Sequence, residues 1–160
     1  MDTPDAPRTA LRNADHALVL DFLARPAAPR AVDANPVAIE YAGRLLAADR
    51  EAGSVQLDFE LAPRHCQGNG VVQGGVLAVL LDFGIAFALL TKLAPGASAG
   101  TVSLSTQFLR AAGPGRYTVE GRVVRLGRTL AFGEATLRAP DRADPLATAT
   151  AVMAVQSARG

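Results

Sequence analysis

Gly74–Leu93 reads GGVLAVLLDFGIAFALLTKL. Twenty residues are too many for one strand and would make a helix of about 30 Å. Val76, Leu77, Val79, Leu80, Leu81, Phe83, Ile85, Phe87, Leu89 and Leu90 leave it no polar face. A helix that is apolar all round is expected to be buried all round. Ala94-Pro95-Gly96 ends it, and one acidic residue, Asp82, sits in its middle between Leu81 and Phe83.

Upstream, Gly53–Leu61 alternates Val55, Leu57, Phe59 and Leu61 with Gln56, Asp58 and Glu60, the pattern of a half-buried strand. Ile39–Ala48 reads as a strand before it. Downstream the period switches to two through Gly100–Arg110, Arg116–Leu126, Thr129–Arg138 and Pro145–Val155. Gly113-Pro114-Gly115, Gly127-Arg128 and Ala139-Pro140-Asp141 mark the turns between them. In Gly100–Arg110, Val102, Leu104 and Phe108 fall on one face, with Ser103, Ser105 and Gln107 on the other. Four successive strands with short connections predict an antiparallel meander. A single helix is buried all round only if a curved antiparallel sheet wraps it, so the expected class is α+β. Such a sheet leaves an open edge that a second copy of the chain would cover, which predicts a homo-oligomer.

Residues 1–35, rich in Ala and Pro, read as an N-terminal arm in which Asn13 caps a short helix, Ala14–Ala24, stopped by Pro26. Residues 36–160 form the domain, and no internal repeat is present.

Composition narrows the function. The chain has 160 residues, 49% apolar and 19% charged, enough for one packed core. Its net charge of +1 gives no basic field, so no nucleic-acid partner is expected. The 32 Ala, 15 Arg and single Lys92 are read as the codon preference of a GC-rich genome. One cysteine, Cys66, excludes an internal disulfide. With only His16 and His65 beside it, a usual zinc site is excluded too, and His65-Cys66 reads as a loop pair. The apolar run Val76–Leu90 is 15 residues with Asp82 inside it, short of the roughly 18 a spanning helix needs. Asp2 and Asp5 open the chain, and Asp21 interrupts its first apolar run, unlike a signal peptide. The expectation is a cytoplasmic protein without a membrane partner.

Two patterns are decoys. Gly96-Ala97-Ser98-Ala99-Gly100 matches G-x-S-x-G, but a nucleophile elbow needs a strand before it, a helix after it and a later histidine. Here the order is reversed and both histidines lie upstream. Gly68-x-Gly70 has Gln73 where a dinucleotide fingerprint needs a third glycine.

Asp82 is different. No polar face exists on its helix, so a cleft or subunit interface is the place for it, and a carboxylate held there suits a general base or nucleophile. Gly74-Gly75 opens the same helix, where free N–H groups and the positive end of the dipole point outward and glycine lets a ligand approach the backbone. That is either an oxyanion site for a carbonyl or an ordinary helix entry. Eight residues separate Gly74 from Asp82, about 12 Å along the axis. One chain cannot grip a single carbonyl with both, whereas two antiparallel helices across a dimer can.

The stretch Asn69–Asp82, NGVVQGGVLAVLLD, resembles the PaaI-type hotdog-fold acyl-CoA thioesterases. Those proteins carry a G-x-x-H-G-G turn and an Asp nine residues after its His. Gly70–Gly75 fills that turn and Asp82 lies nine residues after Gln73. The likeness continues through Thr101–Ala112, Gly127–Phe132 and the last Ala-rich strand, roughly residues 37–156 in all. It implies a hotdog fold, a curved sheet around one long helix, with active sites at the interface of a homodimer that pairs into a homotetramer. It implies an acyl-CoA substrate, hydrolysed to free acid and CoA without metal or other cofactor.

In that family's terms Asp82 is the base or nucleophile, the Gly74 N–H polarises the thioester carbonyl from the partner subunit, and Thr101 helps place the attacking water. Gln67 stands near the thioester, where Asn is usual. Gln73 replaces the usual His; an amide hydrogen-bonds but cannot shuttle protons near pH 7, so it supports the turn and orients the carbonyl. Asn69 and Gly75 complete that turn. Arg110, Arg125 and Arg128 are candidates for the CoA phosphates, and Phe108, with Phe83 and Phe87, for the acyl pocket. Two rivals share the fold. A non-catalytic acyl-CoA binder has no need of a buried carboxylate. An enoyl-CoA hydratase or dehydratase pairs a His with an acid, and no His lies in or after this helix.

Overall fold

The computed structural model describes residues 13–156; the outer part of the expected arm, residues 1–12, and residues 157–160 lie outside it. The elements are α1 (Ala14–Ala24), β1 (Arg30–Ala31), α2 (Pro36–Glu40), β2 (Arg44–Asp49), β3 (Ser54–Leu61), a 3-10 turn (Pro63–His65), α3 (Gly74–Lys92), β4 (Ser98–Phe108), β5 (Gly115–Leu126), β6 (Leu130–Arg138) and β7 (Ala147–Gln156). The strands form one seven-stranded sheet in the order β1-β2-β3-β5-β6-β7-β4, antiparallel at every step. α3 lies along its inner face as the long central helix of a hotdog fold. Leu77, Leu80, Leu81, Ile85, Phe87 and Leu89 on α3 pack with Leu57, Phe59, Val119, Leu137 and Met153 of the sheet in one core.

Small residues set how closely the helix lies on the sheet. A Cβ at Gly121 of β5 would stand 2.0 Å from the Gly84 carbonyl oxygen, and one at Gly84 would stand 2.5 Å from Val119 Cγ1. Over Gly74–Lys92 the helix reaches a mean hydropathy of 2.1 and is long and apolar enough to cross a bilayer by those measures. Its place is instead the middle of this core.

Four sequence expectations need correction. The meander holds for β5, β6 and β7, but β4 pairs with β7 at the far edge, while β5 takes its place beside β3. The reason is α3, which crosses the inner face between β3 and β4 and delivers the chain to the opposite edge. Ile39–Ala48 is not one strand. Asn35 accepts from the N–H of Val37 and Ala38, with Pro36 at the first position, so a five-residue helix forms and the strand begins only at Arg44. α3 is not buried all round within one chain: Gly75 is exposed, and Val79, Asp82 and Ala86, on the same face, are only half-buried. The alternation in β4 is broken by a bulge between Thr101 and Ser103.

The helix expected in the arm spans Ala14–Ala24, with Asn13 Oδ1 accepting from the His16 N–H at 3.1 Å. It packs on α3, and Val19 and Phe22 are core residues. Phe22→Ala is therefore expected to cost about 3–5 kcal/mol in urea unfolding. A loss below about 1 kcal/mol would show that α1 is not part of the core.

Candidate active site

Asp82 lies on the face of α3 left open by the sheet. Its Oδ1 accepts a hydrogen bond from Thr101 Oγ1 at 2.8 Å. The β4 bulge makes that possible. Residues directly opposite in an antiparallel pair share a face. Thr101 is opposite Met153 and Leu104 is opposite Ala151, and both partners are buried against the core. Thr101 and Leu104 thus face inward together although three residues apart, which simple alternation forbids. Val102 is the extra residue, 63% exposed. Strict alternation had set Val102 with Leu104 and Phe108; the bulge substitutes Thr101.

At the other end of the open face is the start of α3. Gln73 is its N-cap and makes no side-chain capping bond. The Gln73 N–H donates to the His65 carbonyl at 2.9 Å; the N–H groups of Gly74 and Gly75 meet no acceptor among the described residues. The Phe108 ring lies 3.4 Å from where a Gly74 Cβ would be, and Phe108 itself is half-exposed. The result is an apolar wall beside two unpartnered donors carrying the positive end of the helix dipole.

The loop before α3 is closed on itself. The Gln67 N–H donates to the Val71 carbonyl at 2.8 Å, the Gly70 N–H to the Gln67 carbonyl at 3.0 Å, and the Val71 N–H to Asn69 Oδ1 at 3.3 Å. Gln67 and Asn69 are exposed at its tip, so Asn69 is a loop brace as well as a candidate ligand.

The three arginines divide. Arg110 pairs with Asp144 at 3.1 Å, at the Phe108 end of β4. Arg125 is opposite Phe132, and Arg128 lies in the β5–β6 turn, at the end of the sheet that holds Thr101. Arg125 shares its cross-strand row with Ser103, and therefore points away from the face that carries Thr101.

One residue in this region was missed in the sequence. His65 is buried, with Nδ1 3.0 Å from the Ala62 N–H and Nε2 2.9 Å from Glu40 Oε1. Arg64 Nε donates to the same Glu40 oxygen at 2.8 Å. The His65 hydrogen bond, and after it Arg64, holds the Glu40 carboxyl below the usual carboxylate range. Glu40 is 25 residues away, so no local pattern announces the pair.

A family model described as the thioesterase superfamily matches residues 69–145. The chain is similar to a crystal structure from Ralstonia eutropha JMP134 whose name refers to thioesterase activity and phenylacetic acid degradation, with 33% identity, TM-score 0.73, and coverage of 85% of this chain and 98% of that one. It is similar to Pseudomonas aeruginosa PA0474, which is named for esterase activity, with 34% identity over 80 residues. That match is 49% of this chain and spans only 60% of that protein's length. The E. coli PaaI protein of the phenylacetic acid degradation operon shares the fold, with TM-score 0.72, 14% identity, and coverage of 92% of this chain and 97% of that one.

Proposed function

This chain belongs to the PaaI-type hotdog branch of the thioesterase superfamily, and we propose that it hydrolyses acyl-CoA thioesters in sites shared between two copies. The observation that carries the reading is the Thr101–Asp82 pair on the open face of an otherwise apolar core helix. Burying a carboxylate is costly, and an arrangement that tethers one beside a hydroxyl on an uncovered stripe suits handling of a water molecule.

In the proposed reaction Asp82 takes a proton from water, and the water oxygen bonds to the thioester carbonyl carbon. The carbonyl oxygen gains negative charge against the N–H groups of the partner's Gly74 and Gly75. The intermediate then collapses with cleavage of the C–S bond, and Asp82 returns its proton to the leaving sulfur, releasing the acid and the CoA thiol. Asp82 as direct nucleophile leads to the same products through an anhydride that water opens.

β4 supports the shared site. It is the outer strand of the sheet, with Val102 and Phe108, and Leu109 just past its end, at least half-exposed. Antiparallel pairing of β4 with its own copy, centred on Ser105 and with Val102 bulged out on each side, would set Thr101 opposite the partner's Phe108. That register joins the Asp82 end of one chain to the Gly74 end of the other, across the roughly 12 Å that separates them within a chain. A homodimer, or a homotetramer built from it, is expected in sedimentation at micromolar concentration. A folded monomer there would contradict the shared site.

The direct test is a panel of aromatic, short and long acyl-CoAs with free thiol as the readout. At least one class is expected to turn over; tight binding without thiol release would instead return the non-catalytic reading. Thr101→Val removes one hydrogen bond to a charged group and is expected to lower kcat about 10–100-fold. Unchanged turnover would show that Thr101 does not orient Asp82.

A further inference from the structure

We propose that His65 is a positioning residue of this site that works only as the neutral imidazole, holding the first amides of α3 in place through its own carbonyl. The inference rests on the thioesterase reading for its effect on turnover, and on geometry for the rest.

The ring is fixed on both nitrogens. Nδ1 faces a backbone N–H, that of Ala62, and must therefore act as acceptor. The ring hydrogen is thus on Nε2, where it is donated to Glu40. Tyr41 stands edge-on to the ring, 4.9 Å between centroids. Glu40 and Tyr41, from the end of α2, and Arg64, bound to the same carboxylate, are the titratable or charged groups set against the ring, and the free Cys66 follows it in the chain. The side chain is 7% exposed, so it cannot swing into solvent without opening this corner.

The backbone of the same residue reaches the site. The His65 carbonyl accepts from Gln73, the N-cap of α3. Cys66 and Val72 bridge beside it, and the Gln67 N–H closes the next rung on Val71. His65 is therefore one end of a short ladder, tied also by its own N–H to the Ala62 carbonyl and by the Val72 N–H to the Ala112 carbonyl, that carries Gln67 on one side and leads on the other into the free N–H groups of Gly74 and Gly75. Catalytic donors of this kind act only when held in place.

A second proton on the ring would have to go on Nδ1, where it meets the Ala62 N–H donor to donor. The bond from the Ala62 N–H is lost, and this end of the ladder is left with its backbone ties alone, the His65 N–H on the Ala62 carbonyl at 2.9 Å among them. Because the Glu40 carboxyl is held below its usual range, Glu40 stays ionised where imidazoles titrate, across about pH 5 to 8. A change in that window is then not its own.

Two substitutions separate the contacts. His65→Asn puts an oxygen where Nδ1 stood, keeps the Ala62 bond and cannot take a proton. His65→Gln puts an amide nitrogen near Nε2, keeps Glu40 and loses Ala62. Acyl-CoA turnover by the wild-type dimer is expected to fall at least fivefold as pH drops from about 8 to 5, on a limb absent from His65→Asn. At pH 8 His65→Asn is expected within threefold of wild type, and His65→Gln at least tenfold down in kcat with KM little changed. The same limb in His65→Asn would overturn the proposal.

A readout free of turnover runs beside it. In ¹⁵N-labelled protein the Gly74 and Gly75 amide shifts are expected to follow the ring titration in wild type and to lose that component in His65→Asn. If the amides follow the ring but no acyl-CoA is hydrolysed, the positioning role stands and only the thioesterase reading fails. If they ignore the ring, the proposal fails whatever the turnover. Should His65→Gln not fold, wild type and His65→Asn decide the matter alone.

Discussion

Asp82→Asn is expected to lower kcat by about 10²–10⁴-fold, with a much smaller change in KM. The substitution keeps the size of the side chain and an acceptor for Thr101 Oγ1, and removes the charge and basicity. Thermal stability is expected to hold or rise, because an amide costs less to half-bury than a carboxylate. A structural carboxylate would give the opposite pair of results, lost stability with turnover intact. Complementation then tests how the site is shared. A bulky residue at position 74 would strike the Phe108 ring and block the donors. If each site takes Gly74 from one chain and Asp82 from the other, a mixed dimer of the two inactive variants has one site with both defects and one with neither. Activity is expected to return on co-refolding, to roughly a quarter of the wild-type value when half of the dimers are mixed. No recovery in proven mixed dimers would place both groups in one chain.

Gly121→Ala is expected to be the most damaging single-methyl change in the core. Its Cβ would fall 2.0 Å from the Gly84 carbonyl oxygen, a backbone atom of a helix buried by the sheet. No rotamer relieves that contact. Either α3 rises from β5 or the strand bends outward, and both open the packing around Val119 and Ala135. Overpacking that flexible side chains can absorb costs about 1–3 kcal/mol; with backbone on both sides the loss is expected at or above the top of that range. The control is Gly113→Ala, where a Cβ meets nothing within 4 Å. Unfolding in urea should separate the two variants clearly. Equal midpoints would mean that the helix does not rest on β5 as described.

Much of this arrangement is legible in the sequence. The unbroken apolar character of Gly74–Lys92 demands a wrap, and period two on both sides supplies the sheet. Asp82 stood out because a charge on such a helix needs a reason. What could not be read was any feature that depends on distant pairing. The place of β4 beside β7 follows from the path of α3 across the sheet, not from the length of the turn at Gly113-Pro114-Gly115. The helix at Pro36–Glu40 did leave a local signal, Asn35-Pro36, but the apolar residues around it imitate a strand. The His65–Glu40 pair left none, since its members lie 25 residues apart on either side of the β2–β3 hairpin. Thr101 was found through family likeness; its inward direction depends on a bulge that alternation alone contradicts.

That bulge makes β4 sensitive to length rather than to letters. Eleven residues of β4 run beside ten of β7, and the surplus residue is Val102. Its side chain is exposed, so replacing it leaves the core untouched. Deleting it is another matter. Composition and hydropathy would hardly change, yet the residues on one side of the gap would exchange inside for outside. In-frame codon loss at this position would therefore be read by the protein as a phase error, turning the hydroxyl that holds Asp82 to the outer surface while every remaining residue stayed as it was. Across related chains the strand should tolerate changes of residue type at this position far better than a change in count.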